Sequence, residues 1–163
     1  MADQANQQQG QFQLQRVYVK DLSFEAPRAP EVFRQEWKPE VNLEVNHSAN
    51  QIDGDVYEVV LKVTVTVQNQ QKSAFVAEIQ QAGLFLIAGI TGMQFEHVVK
   101  GVCPNVLFPY ARETISDLVA RGTFPQFLLQ PINFEAAFVE QLRRQQQQQN
   151  QDQGQPPADG SQH

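Results

Sequence analysis

Few residues in this chain are of a type and spacing that could do covalent chemistry. His47, His97 and His163 are the only histidines, and none stands at a metal-ligand spacing. His97 and Cys103 could in principle form a thiol–imidazole pair, although a small buried thiol at a helix end accounts for the same residues. Asp53 and Asp55 flank Gly54, and a turn explains them as well as a cation would. "GITGMQ" (89–94) lacks the Lys-Ser/Thr that a phosphate loop needs, and neither a GxSxG nor a GxGxxG is present. The residues thus point to binding rather than catalysis, and the chemistry left is electrostatic. In "SAFVAEIQQAGLFLIAGI" (73–90), counting by twos sets Phe75, Ala77, Ile79 and Gln81 on one face. Ala74, Val76, Glu78 and Gln80 point the other way. In "QRVYVKDLSFE" (15–25), Tyr18, Leu22 and Phe24 oppose Asp21, Ser23 and Glu25. A carboxylate on the wet face of a strand is either simply solvated or part of a surface that meets a partner, and alternation alone leaves both open.

The elements that must position these groups are legible. "VNLEVNH" (41–47) alternates, and "VYEVVLKVTVTVQ" (56–68) places Tyr57, Val59, Leu61, Val63, Val65 and Val67 on one face, with Lys62, Thr64 and Thr66 opposite. "DGD" (53–55) and "NQQK" (69–72) are turns. "APRAPEVFRQEWKP" (26–39) has three prolines and reads as a long crossing loop with one helical turn at 31–35. Four strands, that loop and two hairpins predict an antiparallel sheet with one wet and one dry face. Residues 105–122 set Leu107, Tyr110, Ala111, Thr114, Ile115 and Leu118 at helical spacing, with Pro109 either bending the first turn or separating it and Gly122 as the stop. "TFPQFLLQP" (123–131) is a loop. A last helix, 133–144, is capped by Asn133 and buries Phe134, Ala137, Phe138 and Leu142. Strands followed by helices predict an α+β fold with the helices on one face of the sheet.

Composition bounds the rest. The chain has 163 residues, 41% hydrophobic, enough for one domain with a real core. A net charge of −6 without a basic cluster argues against nucleic acid. One cysteine fits a reducing compartment. The N-terminus lacks the pattern of a signal peptide, and the run Leu84–Ile90 is too short to cross a bilayer, so a soluble cytoplasmic protein is expected. The Gln-rich ends, 1–13 and 145–163, are expected to be disordered tails around one folded domain, 14–144. Eleven phenylalanines, Trp37 in a Pro-rich loop and "FPQFLL" are more than one sheet and two helices need. They either fold back on the core or form an interface or groove.

"VYVKDLSFEAPRAPEVF", "DVYEVVLKVTVTV", "AEIQQAGLFLIAGI", "CPNVLFPYARETISDLVARGTFPQ" and "PINFEAAF" resemble the SecB family of bacterial protein-export chaperones over residues 14–142. The resemblance implies a homotetramer, a dimer of dimers, with the long helix between the dimers. It makes Phe75, Ala77, Ile79, Gln81, Tyr110, Thr114 and Leu118 candidates for oligomer contacts. It implies a chaperone that works without ATP or any other cofactor, holds unfolded preproteins and delivers them to the translocation ATPase SecA, with no insertion into the membrane. The family's acidic SecA dock corresponds here to Asp21, Glu25, Val76 and Glu78, Val76 standing where a larger aliphatic residue can occur. Client-groove candidates are Phe33, Trp37, Phe124, Phe127, Leu128 and Leu142. Two other readings stay open: a SecB-like chaperone dedicated to another client such as a toxin–antitoxin component, and a small α+β enzyme using Cys103 and His97.

Overall fold

Two tight turns organise the sheet. Gln70 and Gln71 both adopt positive φ (53° and 66°), a two-residue connection whose twist matches the strands it joins, β3 (Val56–Asn69) and β4 (Lys72–Ala88). Gly54, at φ 55°, closes the turn between β2 (Pro39–Asp53) and β3. β1 (Gln11–Glu25) pairs with the other side of β4, giving the order β1-β4-β3-β2, antiparallel throughout. β1 and β2 are therefore opposite edges, and the segment between them crosses the end of the sheet, with a 3-10 turn at Glu31–Arg34 where one helical turn is expected. The computed structural model describes residues 9–152; the outer parts of both expected tails, 1–8 and 153–163, lie outside the described residues.

Four boundaries differ from expectation, the first being β2, which runs over Pro39–Asp53 where alternation is read only at 41–47. β1 begins at Gln11, inside the expected tail, because β4 is long enough to pair Gln11 with Ala88 and Phe12 with Ile87. The ladder's hydrogen bonds, not the composition, decide where the strand starts. The helical region begins well before 105, with α1 (Gly92–His97) and a π-helical stretch (Val98–Val102) leading directly into α2 (Cys103–Arg121). Pro109 lies inside α2 on its exposed side rather than separating a first turn. α3 (Phe134–Asp152) continues past Arg144, since glutamine propagates a helix well once it is nucleated. Its start is as expected: the Asn133 side chain accepts a hydrogen bond from the Ala136 amide at 3.1 Å.

The core forms where α2 crosses β4 and β3. Cys103, Leu107, Ala111, Ile115 and Val119, four apart, pack onto Val59, Leu61, Val63, Val65, Val67, Phe75, Ala77 and Ile79, and all are buried. The alternation read for β3 is the alternation found.

Candidate functional site

The wet face of the sheet carries the carboxylates. Ser23 lies opposite Glu78, with Asp21 opposite Gln80 and Glu25 opposite Val76, and directly paired residues share a face. Glu78 is thus diagonal to both Asp21 and Glu25, a spacing of about 7–8 Å between backbones in such ladders. The grouping that alternation left as two separate strands becomes one patch because β1 and β4 are neighbours. On the other side Glu78 faces Thr64, whose hydroxyl donates to Glu78 Oε2 at 3.0 Å, while Lys62 Nζ lies 3.4 Å from Oε1. Among the described residues, Asp21 and Glu25 make no salt bridge.

One part of the alternation in β1 is corrected. The register steps from Val19↔Gln81 to Asp21↔Gln80, so Lys20 is an extra residue, a bulge that reverses which face follows. Tyr18, expected beside Leu22 and Phe24, therefore faces the wet side and donates its hydroxyl hydrogen bond to Glu58. Lys20 Nζ lies 2.7 Å from the other Glu58 oxygen. The Lys20 and Tyr18 hydrogen bonds hold the Glu58 carboxyl below its ordinary range. Burial and then Glu58 push the Tyr18 phenol up to about 12. Nothing in strand periodicity announces a bulge, so this trio was not legible beforehand.

The second feature is apolar. The crossing segment is anchored by buried Val32 and by Asn69, whose side chain accepts from the Lys38 amide (2.8 Å) and donates to the Glu36 carbonyl (3.1 Å). Facing it, α2 ends in a Schellman motif: the Phe124 amide donates to the Val119 carbonyl, the Thr123 amide to that of Ala120. The left-handed residue is Thr123 (φ 61°), not Gly122, whose φ is −75°. Gly122 is required for another reason: a Cβ there would lie 2.5 Å from the Phe24 ring. The motif delivers Phe124 into an aromatic cluster, with ring centroids 4.8 Å from Phe75, 5.2 Å from Phe33 and 5.7 Å from Trp37. Phe33, Trp37 and Phe124, with Val32, Thr123 and Pro125, line an open cavity of about 360 Å³. Trp37 and Pro125 also border a smaller one, about 90 Å³, lined by Phe127, Val41 and Phe75.

Four of the six expected groove residues are therefore brought together, Phe33, Trp37, Phe124 and Phe127. Leu128 is 61% exposed and lines neither cavity. Leu142 lines a different concavity on α3, beside Met93 and Phe138. Val32, Thr123 and Pro125 complete the lining without any mark in the sequence, because a small or β-branched loop residue carries no signal of its own.

The expected oligomer residues also divide. Phe75, Ala77, Ile79 and Gln81 are buried within the chain itself, under its own helices, and so are not available to a partner. Gln81 donates its amide to the Tyr18 carbonyl at 3.0 Å, satisfying a backbone group beside the bulge. Tyr110, Thr114 and Leu118 form a second stripe on α2, less buried than the sheet-facing one. The thiol–imidazole alternative gains no support: His97 Nε2 pairs with Glu135 Oε1 at 3.1 Å, and burial pushes the Cys103 thiol up to about 12, opposite to what a nucleophile needs.

Comparison with known proteins agrees with this architecture. The family model described as "Preprotein translocase subunit SecB" matches residues 4–147. "Protein-export protein SecB" of Ectopseudomonas mendocina (strain ymp) is 53% identical over 143 residues, covering 88% of this chain and 89% of that protein. The protein of the same name from Pseudomonas aeruginosa (strain LESB58) is 52% identical, covering 87% and 88%. Among solved structures, a Mycobacterium tuberculosis SecB-like chaperone in complex with a ChAD peptide from the HigA1 antitoxin shares the fold. Its TM-score is 0.59 at 22% identity, covering 74% of this chain and 90% of that one. No helix among the described residues is long and apolar enough to cross a membrane. With relatives more than half identical along nearly their full length, and a family match that takes in the whole sheet, the chain belongs to the SecB family of protein-export chaperones.

Proposed function

We propose that the chain, as a cytoplasmic homotetramer, holds unfolded secretory precursors along the Phe33–Trp37–Phe124–Phe127 groove without nucleotide and delivers them to SecA through the wet face of its sheet. The observation that carries this reading is the pair of adjoining apolar cavities beside an exposed aromatic. Phe33 is 48% exposed while its neighbour Phe124 is buried. Apolar contact is non-directional, so such a groove accepts many sequences provided they are extended and unfolded. Several grooves on one assembly add avidity along a long precursor. For docking, Asp21, Glu25 and Glu78 offer negative charge to a basic segment of SecA, and Val76 offers a small apolar contact between them. Dedication to an antitoxin-like client is the weaker alternative, because identity to the SecB-like chaperone of that kind is 22% against 53% for the export protein.

The test is a refolding assay in which a denatured, slow-folding precursor is diluted into buffer with this protein and no nucleotide. The expected result is arrest at near-stoichiometric chaperone, released by a competing unfolded chain. Phe33→Ser should weaken arrest about tenfold or more, since burying a Phe side chain contributes roughly 1.5–3 kcal/mol. Refolding that proceeds untouched would sink the client-holding reading.

A further inference from the structure

The wet face is not a bare acidic patch: its central carboxylate already holds a cation of the chain's own. Lys62 on β3 reaches across to Glu78 on β4 at 3.4 Å, in the row where Lys62 pairs with Gln80 and Gln80 with Asp21. We infer that Lys62 stands in for the basic group of the partner, and that docking proceeds by exchange, the partner's cation displacing Lys62 from Glu78. Lys62 thereby sets affinity and rejects weakly basic segments. The inference rests on the reading of this face as the SecA dock.

Three features make exchange feasible. The contact is a single long one between partly exposed side chains, 43% for Lys62 and 27% for Glu78, the kind of pair that contributes little and opens easily. Thr64 holds the other Glu78 oxygen at 3.0 Å, so the carboxylate stays oriented when the lysine leaves. Asp21 and Glu25, on the neighbouring strand, give an incoming basic segment further charge that Lys62 alone does not satisfy. Lys20 behaves differently. At 2.7 Å from Glu58, with the Tyr18 hydroxyl on the second oxygen, it is held in a closed trio and leaves that carboxylate unavailable. The face thus presents one exchangeable pair and one fixed pair.

Lys62→Gln should tighten binding of purified SecA to the full-length chaperone about two- to fivefold at low salt, mainly through faster association. Calorimetry and stopped-flow measure the two quantities. Because the effect acts through Glu78, the gain should vanish when Lys62→Gln is made in a Glu78→Gln background. Arg144→Gln, which removes the same charge from α3, should change nothing. Unchanged or weaker binding by Lys62→Gln, while Glu78→Lys still abolishes it, would overturn the exchange mechanism and leave the dock intact. A gain that persists with Gln at 78 would overturn it too, in favour of net charge. If Glu78→Lys and Lys62→Gln both leave SecA binding unaltered, the dock itself is wrong and the inference falls with it.

Discussion

Carboxylates that look alike in the sequence have been given different jobs by their neighbours. Glu58 is enclosed by Lys20 and Tyr18, Glu78 is half engaged by Lys62 and Thr64, and Asp21 and Glu25 face solvent. For Glu58 the pH consequence has a definite sign. Its folded pKa is lowered, first by the Lys20 hydrogen bond, so its stabilisation is present above the ordinary Glu value near 4.5 and is lost as pH falls through the folded pKa. Glu58→Gln should cost about 1 kcal/mol at neutral pH, toward the low end for a charged hydrogen bond because Lys20 is half exposed. The gap from the parent should close in acid. Tyr18 works the other way: with its pKa raised to about 12, its contribution is complete below the ordinary value of 10 and fades as pH rises toward 12. Urea midpoints for the parent, Glu58→Gln and Tyr18→Phe across pH check both. An acid-side gap that stays constant for Glu58→Gln would contradict the assignment.

The elements owe their positions to a few close approaches. Gly122 is the plainest. Its backbone torsions are ordinary, but the Phe24 ring lies where a side chain would be, and Phe24 in turn stacks on Phe75 at 5.8 Å. Gly122→Ala should therefore destabilise by about 1–3 kcal/mol through overpacking and should loosen the Phe124 cluster that forms the groove. Denaturation midpoints and quenching of the single Trp37 would report the two effects together. Gly54→Ala is the contrast: open space surrounds it, and only its φ of 55° resists, so it should lose stability without altering Trp37 emission. If both substitutions left Trp37 unchanged, the link from helix end to groove would be wrong. α3 is tied on by its own set of contacts, the Phe134 amide to Asn105 Oδ1 (2.9 Å) and Glu135 to both Asn105 and His97.

As a whole molecule, the single chain leaves apolar surface exposed at both edges of its sheet. Among the described residues, the edge strands leave large apolar side chains exposed on the helix side: Val19 and Leu22 on β1, Val41 and Leu43 on β2. On α2, Tyr110 is exposed, with Thr114 and Leu118 half-buried along the same stripe. Each uncovered large side chain forgoes roughly 1.5–3 kcal/mol of burial, which assembly would recover. The expected species in sedimentation equilibrium is four chains of 18.5 kDa. Leu22→Glu or Tyr110→Glu should shift it toward smaller species with the fold intact by circular dichroism. Persistence of the four-chain species in both would show that these faces are not the interface.

By itself the sequence determined the four strands and their two hairpin turns, the buried face of β3 and β4, the helical cap at Asn133 and the family. Those depend on local periodicity, turn chemistry and motif, which act within a few residues. Alternation left Asp21 and Glu25 apart from Glu78, joined only by the family resemblance, until strand pairing set them side by side; tertiary structure alone decided that Tyr18 turns to the wet face, that Lys62 occupies Glu78, and that Phe75 and Ile79 are covered by α2. Strand order, a one-residue bulge and the choice of covering helix are set by long-range pairing, and period-two alternation is silent on all three.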